Sequence, residues 1–135
     1  MSVDLEVQKA IRARLTTYAV GVPPAQIRDL GVTTITLPAI ILGDSQAVDE
    51  GTSLRRAHTR VYHTLHIWVK EPAFEGVKTI AGAIRTAIHS ARLTLAPGLH
   101  CADALVSSMR FLRDPDGERA HGVVVVEVLV SEVLA

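Results

Sequence analysis

The run GVVVVEVLV, residues 122–130, constrains the fold more than any other stretch of the chain. β-Branched side chains have few χ1 choices and suit strands. In an extended chain Val124, Val126, Val128 and Val130 share one face. Val123, Val125, Glu127 and Leu129 share the other. Both faces are therefore apolar apart from one carboxylate. Left bare, such a strand is a template for aggregation. It must be a central strand, or have its second face covered by another subunit. Its span is expected to be about Arg119 to Val133.

The neighbouring segments supply partners. Residues 58–70, HTRVYHTLHIWVK, alternate as a long strand. Thr59, Val61, His63, Leu65, Ile67 and Val69 form the face expected to meet the core. Arg60, Tyr62, Thr64, His66, Trp68 and Lys70 form the opposite face. Tyr62 and Trp68 there point to a second contact, because such rings suit surfaces with one apolar and one wet end. Trp68 serves equally as a core residue. Leu37 to Gln46 reads as a strand, with Pro38 at an edge or a start. Val106 to Arg113 reads as another. Asp114, Pro115, Asp116 and Gly117 make a turn: Pro presets φ, Asp satisfies local N–H groups and Gly supplies positive φ. Residues 47–57, AVDEGTSLRRA, are polar and without period, and form a loop or hairpin tip.

Two helices complete the pattern. Val7, Ala10, Ile11, Leu15 and Tyr18 follow helical spacing, with Ser2 or Asp4 as cap and Gly21, Pro23 and Pro24 as terminators. Val77, Ile80, Ala81, Ile84 and Ile88 mark a second helix at about 74–90, after the break at Glu71-Pro72. Ala25 to Leu30 allow a helical turn or a short strand, and Thr33 to Thr36 favour an extended chain. A short LTL piece stands at 93–95. The expected fold class is α+β. It is a mainly antiparallel β-sheet with two α-helices packed on one face and a long loop or hairpin extension at about 47–57.

A chain of 135 residues with 48% apolar content fits one domain, 1–135, and buries roughly 65–70% of its unfolded surface. With 14 basic and 14 acidic residues the formal charge is zero, which argues against a dedicated nucleic-acid binder. It also argues against disorder. No stretch reaches the ~20 apolar residues of a membrane span, and the charged start MSVDLEVQKAIRARL has no signal core. The expectation is a soluble chain made in the cytoplasm of its host.

The search for chemistry finds no site. His63 and His66 point to opposite strand faces, and His58 and His66 lie about 26 Å apart along one face. His89, His100 and His121 meet only if the fold brings them together. No recognised metal-ligand spacing is present. Cys101 beside His100 reads as a small buried thiol. Neither a nucleophile elbow nor a Gly-rich phosphate loop occurs. Asp114 and Asp116 are accounted for by their turn. No cofactor, metal or catalytic residue is expected. Arg55, Arg56 and Arg60 form a local basic patch beside Asp49 and Glu50. That suits a solvated loop or a protein contact better than phosphate.

In order and spacing these segments resemble the tail-completion or tail-terminator proteins of phages, prophages and gene transfer agents. The resemblance runs from VQKAIRARL through PAIILGDSQ, HTRVYHTLHIWV and IAGAIRTAIHSARLTL to RFLRDPDGERAHGVVVVEVLV. Its most recognisable piece is Leu112 to Gly117 followed by His121-Gly122, with His63 to Trp68 as a second marker. It implies a non-enzymatic virion structural protein, assembled in the cytoplasm of a bacterial host and then seated at the head–tail junction. Such proteins are similar to rings, typically hexamers, that cap the tail tube, end its growth and meet a head-side connector. DNA passes through the channel without specific grip. The implied partners are further copies of the chain, the tail tube protein and the connector or stopper, and no membrane.

On that resemblance the candidate contact residues are Asp49, Glu50, Arg55, Arg56, Arg60, Tyr62, His66 and Trp68. Asp114, Pro115, Asp116 and Gly117 only shape a turn. The ring would use a heterologous, head-to-tail interface. Two rivals stand beside it: a head-side stopper or adaptor ring, and a small-molecule-binding or enzymatic α+β dimer. The second requires a concave pocket with convergent polar groups.

Overall fold

The computed structural model describes residues 2–29, 36–70, 74–115 and 117–133. The elements are α1 (Val3–Tyr18), a 3₁₀ turn (Pro24–Gln26), β1 (Ile27–Asp29), β2 (Ala39–Asp49), β3 (His58–Val69), α2 (Phe74–His89), β4 (Leu99–Arg113) and β5 (Ala120–Glu132). They form an α+β fold around a five-stranded sheet of order β1-β2-β3-β5-β4. β1 runs parallel to β2 and every other pairing is antiparallel.

The valine-rich strand is interior, as its composition demands. β5 lies between β3 and β4, so both of its backbone edges are paired. Val124, Val126, Val128 and Val130 are buried under the helices. Their opposite neighbours Val123, Val125, Glu127 and Leu129 remain half-buried on the other face. On β3 the odd residues Val61, His63, Leu65, Ile67 and Val69 are buried as expected.

Both helices pack on that inner face, α1 over β1–β3 and α2 over β3–β5. Ser2 is the N-cap of α1: its Oγ accepts from the Leu5 N–H at 3.1 Å. Asp4 instead accepts from the Ser45 hydroxyl, tying the helix start to β2. α1 buries Val7, Ala10, Ile11 and Leu15, but Tyr18 is exposed, because Ala19 turns into the left-handed region and ends the helix there. α2 buries Val77, Ile80, Ala81, Ile84, Ala87 and Ile88. It comes close to the sheet at Gly122, where a Cβ would stand 2.8 Å from Val77 Cγ2. A side chain at that position would push helix and strand apart.

Two expectations need correction. Residues 47–49 are not loop: they pair with Val61, Arg60 and Thr59, so β2 reaches Asp49 and only the tip of the hairpin is irregular. β4 begins at Leu99 rather than Val106. The short LTL piece at 93–95 is irregular and buries Leu93. Residues 24–29 contain both of the alternatives read there, a 3₁₀ turn and then a three-residue strand. The expectations for Thr33 to Ile35, for the break at Glu71-Pro72 and for Asp116 fall outside the described residues. No helix among the described residues is long and apolar enough to cross a membrane.

Candidate assembly surface

The face of the sheet away from the helices is built by strand alternation. Cross-strand register places Arg60, Tyr62, Thr64, His66 and Trp68 of β3 beside Leu129, Glu127, Val125, Val123 and His121 of β5. Asp103, Leu105, Ser108, Arg110 and Leu112 continue the row on β4. No helix covers this face among the described residues. It is an apolar floor of Val123, Val125, Leu105 and Leu129, edged by rings and charges.

Two groups of polar side chains on this face are paired, one at each end. The Arg60 guanidinium donates to Glu50 and, at 3.1 Å, to Glu127. The hydrogen bond to Glu50, and then the charges of both carboxylates, raise the Arg60 pKa against the opposing effect of burial. Arg60 is thus compensated by two carboxylates, and Arg56 lies near Asp49. Tyr62 lies half-buried between Gln46 and Glu127 in register.

At the other end of the same strand, His66 and Trp68 meet His121. His66 Nδ1 is 2.8 Å from His121 Nε2. The Trp68 and His121 rings stack with centroids 3.9 Å apart and planes 6° apart. Burial lowers the His121 pKa, the charge on His66 lowers it further, and Asp114 opposes both. Gly43 makes room for this group: a Cβ there would fall 2.7 Å from the His66 ring. Sequence reasoning missed this cluster, since it pairs residues 55 apart. The available signal was the H-x-W spacing of β3 together with a histidine at the start of β5.

Ile41, Leu37 and Trp68 continue from the cluster into an open groove of about 600 Å³. Asp29, Asp44 and Arg119 stand on its lining as well. The lining is mostly apolar, so the groove suits an apolar side chain with charged flanks. No group of three or more metal-binding side chains occurs among the described residues. His89 accepts from the Val106 N–H at 3.0 Å, and Cys101 is buried.

The third component is the hairpin tip. Asp49 Oδ1 accepts from the Gly51 N–H at 2.7 Å. Ser53 accepts from Arg55 N–H through Oγ and from Arg56 N–H through its carbonyl. Arg56 lies 3.7 Å from Asp49. This turn presents Leu54 with 99% of its surface exposed, beside the exposed Arg55. Asp114 and Pro115 stand at the turn between β4 and β5, where the Gly117 N–H donates to the Asp114 carbonyl and Gly117 takes φ of 74°. The candidate contact residues are thus split between the outer face and the tip.

Comparison with known proteins agrees with this architecture. A chain in the solved virion of a native gene transfer agent (GTA) particle superposes with a TM-score of 0.70 at 16% identity. The match covers 96% of this chain and 95% of that one. At that identity the likeness is one of fold. Among curated proteins, none matches. The family model described as tail completion protein gp17 matches residues 9–131. The chain therefore belongs to the tail completion protein gp17 family and is a structural protein of a phage-like tail.

Proposed function

We propose that this protein is a tail terminator: copies close into a ring at the end of the tail tube, stop its growth and present a surface to the head-side connector. DNA passes through the central channel. The observation that carries this reading, beside family membership, is the outer sheet face. A floor of Val123, Val125, Leu105 and Leu129 without a covering helix is a surface that assembly buries. A heterologous interface suits it, because the outer face and the hairpin tip are different surfaces of one subunit. The ring is a hexamer by analogy with such terminators. Zero net charge suits a channel that lets DNA slide, since every neutralised phosphate would add grip.

Electron microscopy of the purified protein mixed with its tail tubes tests this. A ring at one tube end, with tube length fixed by its addition, is the expected result. Decoration along the tube wall would sink the reading, and so would binding to filled heads with tube ends left bare. The latter is the outcome for a head-side stopper.

A further inference from the structure

Leu54 and the groove lie at opposite ends of the β2–β3 hairpin. Trp68 and His58 are ten residues apart on β3, about 33 Å in an extended strand, and Leu54 lies beyond His58. The tip of one copy therefore cannot reach its own groove. A knob and a hole on one subunit that cannot meet within it generate a head-to-tail chain, which closes into a ring when the rotation permits.

The two ends match in chemistry. The tip offers one fully exposed leucine flanked by Arg55 and Arg56. The groove offers Leu37, Ile41 and the Trp68 ring, with the Asp29 and Asp44 carboxylates on the same lining. Arg119 is there too and offsets one of them, leaving one negative charge in excess. Among the described residues, Asp29 accepts one long hydrogen bond, 3.4 Å, from Gln8. The Asp44 and Arg55 side chains have no ion pair among the described residues. The tip is also held in shape before it meets a partner, by the Asp49 and Ser53 hydrogen bonds and by the anchoring of Glu50 to Arg60. Preorganisation of that kind reduces the ordering cost of docking.

We propose that Leu54 of each copy seats in the groove beside Ile41 and Trp68 of the next copy, with Arg55 and Arg56 against Asp44 and Asp29. This contact rests on the ring reading above and specifies its interface. The Trp68–His121 stack forms one wall of the socket, so the histidine pair positions the wall rather than reacting.

The test is a disulfide between copies. The native Cys101 is buried, so Leu54→Cys and Asp44→Cys supply the accessible thiols. The double variant is mixed with tail tubes, oxidised and run on a denaturing gel, while the same sample is imaged. The expected result is a ladder of cross-linked copies, absent from either single variant, with rings at tube ends. In parallel, Leu54→Asp keeps the fold, since Leu54 packs against nothing, and lowers ring occupancy at tube ends about tenfold or more. Rings that persist without a ladder, and unchanged in Leu54→Asp, overturn the contact and leave the ring reading intact. A cross-link from position 54 to the tube protein overturns it too, leaving the groove to another occupant. Tube ends bare of rings even with the unmodified chain remove the ring reading, and this contact with it.

Discussion

His66 Nδ1 and His121 Nε2 stand 2.8 Å apart, so one of the two nitrogens donates while the other accepts. One N–H lies at the contact, and full protonation of both rings would set two cations ring against ring. This electrostatic conflict and burial both keep His121 neutral below the usual histidine range.

The chain has a single tryptophan, Trp68, stacked on His121, which makes the pair visible. The expected outcome is a change in Trp68 fluorescence as pH falls, with an apparent midpoint below 6.5, the ordinary histidine value. The midpoint belongs to the coupled pair. His66→Asn should move it upward by removing the competing charge, and His121→Gln should abolish it. A midpoint at or above 6.5 in the unaltered chain would contradict the account.

His63 should make the fold acid-sensitive. It is fully buried, its Nε2 lies 3.4 Å from Gln8 Oε1, and its Nδ1 makes no hydrogen bond of normal geometry among the described residues. Burial lowers its pKa, and the Asp4 charge and the Thr64 backbone oppose that incompletely. The unfolded chain therefore binds its proton near 6.5 while the folded chain does not. Stability is whole above 6.5 and is lost as pH falls from there toward the lowered folded value. Urea unfolding at pH 7.5 and 5.5 should show the loss. His63→Leu should reduce the difference between the two pH values, because it removes the group that must stay neutral. An unchanged difference would assign the acid sensitivity elsewhere.

Gly122 should tolerate no side chain. Gly122→Ala places a methyl 2.8 Å from Val77 Cγ2 and 3.3 Å from Ile67 Cδ1, between helix and sheet. Overpacking of this kind costs about 1–3 kcal/mol. Val77→Ala should recover part of that loss when combined with Gly122→Ala. Denaturant midpoints of the two single variants and the double variant test the coupling. Strict additivity would show that the helix moves away freely.

Periodicity made most of the fold legible, and irregularity hid the rest. The alternation at 58–69 and 120–132 and the helical stripes at 3–18 and 74–89 named four of the seven helices and strands nearly to their ends. The first half of β4 escaped because its register shifts between Cys101 and Asp103 and again between Val106 and Ser108. Each bulge inserts a residue and inverts the apolar phase, so no run of alternation survives. β2 shifts between Leu42 and Ser45, which concealed its polar second half in the same way. The candidate contact residues stood out as unusual side chains on a strand face and a loop. Their partners did not, because His121 reaches His66 and Trp68 only through the register of two strands. The groove beside them is made by elements far apart in the chain.

Arg60 should hold the base of the hairpin tip. Its Nε faces Glu50 and its Nη1 faces Glu127, so one planar fork joins the tip to β5. Lysine has no fork and satisfies one carboxylate at a time. Arg60→Lys should cost only about 0.5–1 kcal/mol of global stability, since the side chains are partly in water. It should nevertheless speed amide exchange at residues 50–58 severalfold while leaving 61–69 protected. Equal protection of the tip in both proteins would show that the backbone pair between Glu50 and His58 suffices.

Arg14 should matter more than its half-exposed place on α1 suggests. Its Nη1 donates to the carbonyls of Ala87 at 2.8 Å and Ala91 at 2.9 Å, and its Nη2 donates to the Arg92 carbonyl at 2.9 Å. The last carbonyls of a helix have no partner within it, and the helix dipole places negative charge there. α2 ends at His89, so one guanidinium from α1 caps the C-terminal end of α2 and pins the two helices side by side over the sheet. Arg14→Ala removes these bonds while Ser90 still donates to the Ala87 carbonyl and residues 90–92 stay open to water, so it should cost about 1 kcal/mol. Arg14→Lys should recover less than half, because an ammonium cannot address carbonyls on both sides at once. Denaturant unfolding of the two variants reads the loss. Amide exchange reads its location: faster exchange should concentrate in the last turn of α2 and at residues 90–93. An Arg14→Lys variant as stable as the original would show that charge alone, not the forked geometry, makes the cap.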